Sequence, residues 1–199
     1  MRLRYVLIGD GPSDDVLHQP ILWTLRRLRP DLVVGESPFL PRRHRPPGDV
    51  IEEAVRIHAP QLILVHREAE KEAPEHRRRE IPTMAGVVAI IPVRMTEAWL
   101  LIDEAAIRTA VNRPRGKEPL RLPPLSTLEH RPDPKADLEE ALFLAAGSPG
   151  GRNKKRLEST LPSLKRRVAE GISSFEPLLQ LSAFRRWHDD LEAALHQLP

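Results

Sequence analysis

The sequence predicts an α/β protein, in which a parallel sheet of about four strands is flanked by helices and followed by a C-terminal helical extension. Over the first half of the chain, short apolar runs alternate with segments of helical periodicity, which is typical of parallel strands joined by crossover helices. One run, Val87–Val93, is apolar at nearly every position, as buried parallel strands are. We therefore expect an α/β domain over residues 1–110, and over residues 111–199 a proline-rich loop and a helical extension packed on that domain.

The predicted elements follow in chain order. Strands are expected at residues 1–9, 32–34, 62–66 and 87–93. Helices are expected at residues 13–28, 49–58, 68–81, 134–146, 152–170 and 175–198, and one more begins after Thr96. Asp49 and Thr96 are the expected N-caps of their helices. Interruptions are expected at Pro74 and near Ser182. Proline-rich segments at 38–47 and 112–134 are expected to be irregular.

Composition excludes several classes of site. The chain has 199 residues, 31 basic and 28 acidic, with a net charge of +3 and no cysteine. Disulfides, thiolate zinc sites and cysteine nucleophiles are therefore excluded. There is no phosphate-binding P-loop and no Gly-x-Ser-x-Gly nucleophile elbow. No apolar run reaches the ~18–20 residues of a membrane span and no signal-peptide cleavage pattern is present, so we expect a cytoplasmic protein without a membrane partner.

Carboxylates follow two of the predicted strands directly. Asp10 ends the first strand before a Gly-Pro turn, and Glu68 and Glu70 follow the third. Parallel strands bring their carboxyl ends to one edge of a sheet, where open α/β sheets bind ligands. Hard cations such as Mg²⁺ prefer oxygen ligands, so this pattern predicts a site for Mg²⁺ or Mn²⁺. Asp14 either joins this site or caps the helix that follows.

The segment from Gly9 to Asp15 resembles the first motif of the Toprim domain, in which an acid at a strand end precedes glycine and a later acidic pair. The sequence Glu68-Ala69-Glu70 falls where the second Toprim motif, Asp-x-Asp, is expected. The resemblance covers roughly residues 3–145 and is greatest to small stand-alone prokaryotic Toprim-like proteins, some of them near anti-phage defence genes, which are related to nucleases of the OLD family. It implies a Toprim-like fold and a metal-dependent hydrolase acting on nucleic acid.

This interpretation assigns three groups of residues. The expected catalytic residues are Asp10, Glu68, Glu70 and Glu97. The expected metal ligands are Asp10, Asp14, Glu68 and Glu70. The expected nucleic-acid-binding residues are Arg67, Arg94, Arg113, Arg115, Lys117, Lys154 and Lys155.

Several of these residues also have structural interpretations. Glu97 could instead pair with Arg94 or Arg67, and these two arginines could neutralise carboxylates rather than bind phosphate. The basic positions of the helix after Gly147 either line a nucleic-acid groove or form a solvated face. His66 is expected to be a hydrogen-bonded core histidine.

An alternative function also follows from the sequence. Toprim motifs carry Glu at the position of Asp10 and Asp at the positions of Glu68 and Glu70. The chain could therefore be a non-catalytic Toprim-like module that binds nucleic acid or protein. A separate ATPase or another subunit of a defence complex is then the expected partner.

Overall fold

The computed structural model describes residues 2–69 and 72–198, and within them the strands pair in parallel throughout. The larger sheet has the strand order β4-β2-β5-β6, and β1 pairs with β3 in a separate two-stranded sheet. The strands are β1 Arg2–Leu3, β2 Tyr5–Gly9, β3 Val33–Val34, β4 Phe39–Pro41, β5 Leu62–His66 and β6 Val87–Ile90. The α-helices are α1 His18–Leu28, α2 Pro47–His58, α3 Pro74–Arg79, α4 Glu104–Ala110, α5 Pro134–Ala145, α6 Gly151–Gly171 and α7 Ser182–His196.

This architecture confirms the predicted fold class. Short 3-10 segments complete the helical structure at Pro12–Leu17, Thr96–Leu100, Leu125–His130 and Glu176–Gln180. The chain divides into two compact units, one formed by Met1–Val93 with Ser182–Pro199 and the other by Arg94–Leu181. Within the described residues, no helix is both long and apolar enough to span a membrane.

The core of the first unit packs on both faces of β2 and β5. One face carries Val6, Ile8, Ile63 and Val65, which cluster with buried side chains of α2. On the other face, the buried Tyr5 contacts His18 of α1. This alternation is the two-residue period of a strand buried on both sides.

The edge strand β4 lies where the sequence predicted an irregular proline-rich loop. The amide of Leu7 donates to the carbonyl of Pro38, and the amide of Arg42 donates to the carbonyl of Gly9, which ties the segment to β2. Pro41 is compatible with this pairing because an edge strand needs hydrogen-bond donors on one side only. The prediction of irregular structure from proline content was therefore wrong here, and backbone pairing with a central strand is the reason.

Proline also shifts the starts of two helices. Helix α2 begins at Pro47 with Pro46 as its N-cap, so Asp49 lies in the first turn and the prediction that it caps the helix was wrong. Helix α3 begins at Pro74, where the sequence predicted an interruption. Both cases have one cause, since proline lacks the amide hydrogen that the first turn leaves unbonded and its fixed φ suits that position.

The second unit is a helical assembly. Helix α6 packs mainly against α4 and also contacts α5. Its buried residues are Leu164, Val168 and Ala169, and its first six residues are exposed. In the first unit, α7 begins at Ser182, where a break was predicted, and packs against β6.

Shortening a buried side chain of β2 tests this core. We expect Ile8→Ala to lower the free energy of unfolding by about 3 kcal/mol, because it removes a fully buried side chain and leaves a cavity. Ile57→Ala on α2 is the matched control, since Ile57 is exposed and its loss should cost under about 1 kcal/mol. Urea denaturation measures both values, and equal losses would contradict the packing described.

Candidate functional site

The carboxyl ends of three neighbouring strands bring together two acids and three cationic side chains. Asp10 and Asp14 follow β2, Arg42 follows β4, and His66 and Arg67 end and follow β5. These five residues, called here the sheet-edge site, lie where open parallel sheets bind ligands. Asp10 therefore lies at the carboxyl edge of the sheet, as its place after a strand predicted, and two arginines lie beside it.

Asp14 is nearly buried and accepts several hydrogen bonds. Its Oδ2 accepts from the amide of Asp10 at 2.7 Å and from the amide of Gly11 at 3.2 Å. The same oxygen lies 3.0 Å from Nδ1 of the fully buried His66. Asp14 thus caps the turn after β2, one of the two roles that the sequence left open.

Gly9 makes room for this arrangement. A Cβ atom at Gly9 would lie 2.8 Å from both Cβ and Oδ2 of Asp14, and 2.8 Å from a ring carbon of Phe39. Real Cβ atoms do not approach other atoms so closely. The glycine before Asp10 is therefore required by close packing against the Asp14 side chain.

Charge pairing controls the protonation of Asp14 and His66. Burial alone raises the pKa of Asp14, but the hydrogen bond and positive charge of His66, with the two amides, lower this pKa below its ordinary value. Burial alone lowers the pKa of His66, but the hydrogen bond and charge of Asp14 raise this pKa above its ordinary value. Between the lowered pKa of Asp14 and the raised pKa of His66, the two side chains therefore form a buried carboxylate–imidazolium pair.

Asp10 faces the arginines. Its Oδ1 accepts from Nε of Arg42 at 2.9 Å and from Nη2 of Arg42 at 2.7 Å. Nε of Arg67 lies 3.6 Å from the same oxygen, too far for a hydrogen bond. Both guanidinium groups are close to nine-tenths buried, whereas the Asp10 side chain is 38% exposed.

The two ends of the Arg67 guanidinium have different contacts. Its Nη2 pairs with Glu80 at 2.8 Å. Its Nε is buried and, among residues 2–69 and 72–198, has no hydrogen-bond partner. A buried N–H without an acceptor costs on the order of 1–3 kcal/mol, so this position favours an additional anionic group.

Two of the other three predicted acids, Glu68 and Glu97, lie in the described parts of the chain. Glu68 is half-buried directly after Arg67, and Glu70 lies outside the described residues. Glu97 belongs to the second unit, where Nζ of Lys165 lies 3.0 Å from its carboxylate and 3.0 Å from that of Glu139. Glu97 is thus ion-paired, with Lys165 as a partner that the sequence did not suggest.

The predicted nucleic-acid-binding residues differ in accessibility. Arg113 is engaged with Glu118 at 2.5 Å and with the carbonyl of Ala145. Arg94 is half-buried and Arg67 buried. The exposed cations are Arg115, Lys117, Lys154 and Lys155.

Three side chains of types that can bind a metal lie close together on α7. Within residues 2–69 and 72–198, ligand atoms of His188, Asp189 and Glu192 on α7 lie within 4.8 Å of one another. Asp189 is two-thirds exposed and Glu192 is exposed. Exposed groups at this helical spacing are common without a metal, and we assign this cluster no function.

Arg42 is the member of the sheet-edge site that the sequence analysis missed. It lies in the proline-rich segment 38–47, which the sequence predicted to be irregular. The available signal was the apolar pair Phe39-Leu40 directly before it, which forms β4. His66 is the hydrogen-bonded core histidine that was expected.

Comparison with protein-family models, with curated proteins and with solved structures finds no match to this chain. The family resemblance described from the sequence therefore stays a prediction. Inferences about function depend on the geometry of the sheet-edge site and on the sequence motifs.

The buried pair predicts a defined dependence of stability on pH. Because folding raises the pKa of His66, protonation of this residue stabilises the folded state. The contribution is complete below pH 6.5, the ordinary pKa of histidine, and is lost as the pH rises through the folded-state pKa. Because folding lowers the pKa of Asp14, ionisation of this residue also stabilises the folded state. The contribution is complete above pH 3.8, the ordinary pKa of aspartate, and is lost as the pH falls through the folded-state pKa. We expect the pair to contribute most between pH 3.8 and pH 6.5.

Urea denaturation across this range measures the effect. His66→Asn should lower the unfolding free energy by about 3 kcal/mol within the window and less outside it, because it leaves a buried carboxylate unpaired. His196→Asn, at an exposed position at the end of α7, is the control and should leave the profile unchanged. A loss in His66→Asn that is independent of pH would contradict the ion pair.

Lys165 offers a second test, in the helical unit. Its side chain is 12% exposed and that of Glu97 is 14% exposed. We expect Lys165→Met to lower the unfolding free energy by about 2 kcal/mol, because the largely buried Glu97 and the partly exposed Glu139 lose their cation. Adding Glu97→Gln should restore part of this loss, as thermal unfolding of both variants would show. No recovery in the double variant would contradict a structural role for the pair.

Proposed function

We propose that this protein is a divalent-metal-dependent phosphodiesterase that acts on nucleic acid. The observation that carries the proposal is the position of Asp10, a partly exposed carboxylate at the carboxyl end of a central parallel strand, beside two largely buried guanidinium groups. A carboxylate next to arginines combines a ligand for a hard cation with donors for phosphate oxygens. The motifs that resemble Toprim domains support the same chemistry.

The donor set fits Mg²⁺ or Mn²⁺ with few protein ligands. Asp10 would hold the ion, with Glu68 and Glu70 after the neighbouring strand as further oxygen donors. Mg²⁺ commonly binds one or two carboxylates and completes its shell with water and substrate phosphate. When bound, such an ion supplies Lewis acidity toward a phosphoryl oxygen. Asp14, already engaged by two amides and His66, holds the turn in place.

The arginines have a separate role in this proposal. Arg42 bonds to Asp10 through Nε and Nη2, and the buried Nε of Arg67 has no acceptor within the part of the chain that the structure describes. A cation on Asp10 would weaken its attraction for both guanidinium groups. Their N–H groups would then be available to the oxygens of a scissile phosphate, which the planar guanidinium binds in a bidentate manner.

Four of the exposed cations of the second unit are proposed to bind the phosphate backbone of nucleic acid. They are Arg115, Lys117, Lys154 and Lys155. Contacts of this kind carry no sequence information, so substrate choice should depend little on base order. Binding should weaken as salt concentration rises, because each phosphate contact releases counterions.

Cleavage assays with plasmid, single-stranded DNA and RNA test the proposal. We expect cleavage with Mg²⁺ or Mn²⁺ and none with EDTA. Asp10→Asn should reduce the rate by about a hundredfold or more, since even indirect ligand contacts are worth 10–100-fold. Asp31→Asn, which alters an exposed pair with Arg29, is the matched control and should cleave at the wild-type rate. Cleavage that persists in EDTA, or equal rates in both variants, would contradict the proposal.

A second candidate is a non-catalytic module that binds nucleic acid or a partner protein such as a separate ATPase. The observation that favours it is that both acids are already neutralised, Asp14 by His66 and Asp10 by Arg42. Equilibrium binding to the same nucleic acids separates the two candidates. A module would bind without cleavage, with or without metal, and Asp10→Asn would leave its affinity unchanged.

A further inference from the structure

The turn after β4 has a backbone conformation that its residues rarely adopt. It runs from Arg42 to Arg45, and the amide of Arg45 donates to the carbonyl of Arg42 at 3.0 Å. Both central residues have a positive φ, 49° at Arg43 and 68° at His44. Two positive φ values in succession are typical of a type I′ turn, whose central positions are usually Gly, Asn or Asp. Arginine and histidine are therefore unusual occupants of this turn.

This conformation costs free energy at both central positions. In the left-handed region, the Cβ atom of an L-residue lies too close to the carbonyl oxygen that follows. Glycine has no Cβ atom and would avoid the strain. Residues held in strained conformations cluster at ligand-binding sites, where the surrounding structure keeps them in place. The strain therefore indicates that the side chains of Arg43 and His44 have a use beyond reversing the chain direction.

The first and last residues of the turn hold it in place. Nη1 of Arg42 donates to the carbonyl of Arg45, while Nε and Nη2 of Arg42 donate to Asp10. One guanidinium group therefore bridges the end of the turn and the carboxylate of the sheet-edge site. On the other side, Nη1 of Arg45 pairs with Glu53 of α2 at 2.6 Å. These contacts fix the position of the turn relative to Asp10.

The two central side chains are accessible to a ligand. Arg43 and His44 are both exposed. Among residues 2–69 and 72–198, neither side chain has a hydrogen-bond or ion-pair partner. A guanidinium group binds phosphate oxygens in a bidentate manner, and a neutral imidazole carries one N–H donor in either tautomer. The turn thus presents donors for phosphate directly after the residue that bonds to Asp10.

From this arrangement we propose that the turn is a phosphate-binding element beside the sheet-edge site. Arg43 and His44 donate to phosphate oxygens of a nucleic-acid strand and position that strand over Asp10. This inference rests on the proposed binding of nucleic acid, and it adds two positioning residues to the sheet-edge site. Because both contacts are to the backbone of the strand, they contribute affinity without base preference.

Equilibrium binding of a fluorescently labelled single-stranded DNA oligonucleotide to the full chain, measured by anisotropy in EDTA, tests the assignment without cleavage. Arg43→Gly should weaken binding about tenfold at low salt, because a charged contact to phosphate is lost. It should also reduce the slope of log affinity against log salt concentration by about one, which a merely structural role would not do. His44→Gly should weaken binding about threefold through the loss of one hydrogen bond.

The control removes the same charge elsewhere in the first unit. Arg56 is exposed in the last turn of α2, which leads to the start of β5 at the opposite edge of the sheet. Arg56→Ala should leave both the affinity and the salt slope unchanged. Equal affinities of Arg43→Gly and Arg56→Ala, or no binding by the wild-type protein at micromolar concentration, would overturn the proposal.

Two further measurements complete the test. The thermal unfolding midpoints of Arg43→Gly and His44→Gly should not fall below that of the wild type, because glycine relieves the strain, and lower midpoints would overturn the argument from strain. Cleavage in Mg²⁺ separates this inference from the nuclease proposal. Weaker binding by Arg43→Gly without cleavage by the wild type would support the turn and contradict the nuclease. Cleavage by the wild type with unchanged binding by Arg43→Gly would do the reverse.

Discussion

The buried ion pair between Asp14 and His66 joins the turn after β2 to the end of β5. Asp14 reaches back to the amides of Asp10 and Gly11, and His66 approaches from the neighbouring strand. The glycine at position 9 leaves the space that the carboxylate occupies. The direction of the Asp10 side chain follows from this turn, so the chemistry available at the sheet edge depends on a pair that is itself nearly inaccessible to solvent.

The two acids near the turn therefore have different environments. Asp14 is surrounded by donors within the protein, which lower its pKa and hold it ionised. Asp10 is partly exposed and shares one oxygen between the contacts with Arg42 and Arg67. A carboxylate whose hydrogen bonds all come from within the protein stabilises the fold. A carboxylate that is accessible to solvent beside buried arginines can replace its contacts with them by contacts with a ligand. We assign structure to the first and ligand binding to the second on this basis.

Much of this arrangement could be predicted from the sequence, because it depends on local patterns. Apolar runs that end in acids gave the positions of β2 and β5, and their parallel pairing placed Asp10 near His66 and Arg67. The pairing of Arg42 with Asp10 could not be predicted, because it requires β4 to pair with β2, and the proline content around β4 masks its strand signal. The partner of Glu97 was missed for a similar reason. Lys165 lies 68 residues away on α6, and no local pattern links the two.

The most direct test of this account is a double-mutant cycle on the unfolding free energy, built from Asp14→Asn, His66→Asn and the variant with both substitutions. At pH 5.5, where both groups are charged in the folded state, the account predicts a coupling energy of about 2 kcal/mol or more, the size expected for contacting residues in a buried pair. Additive effects of the two substitutions, within about 0.5 kcal/mol, would contradict the central role assigned to this pair.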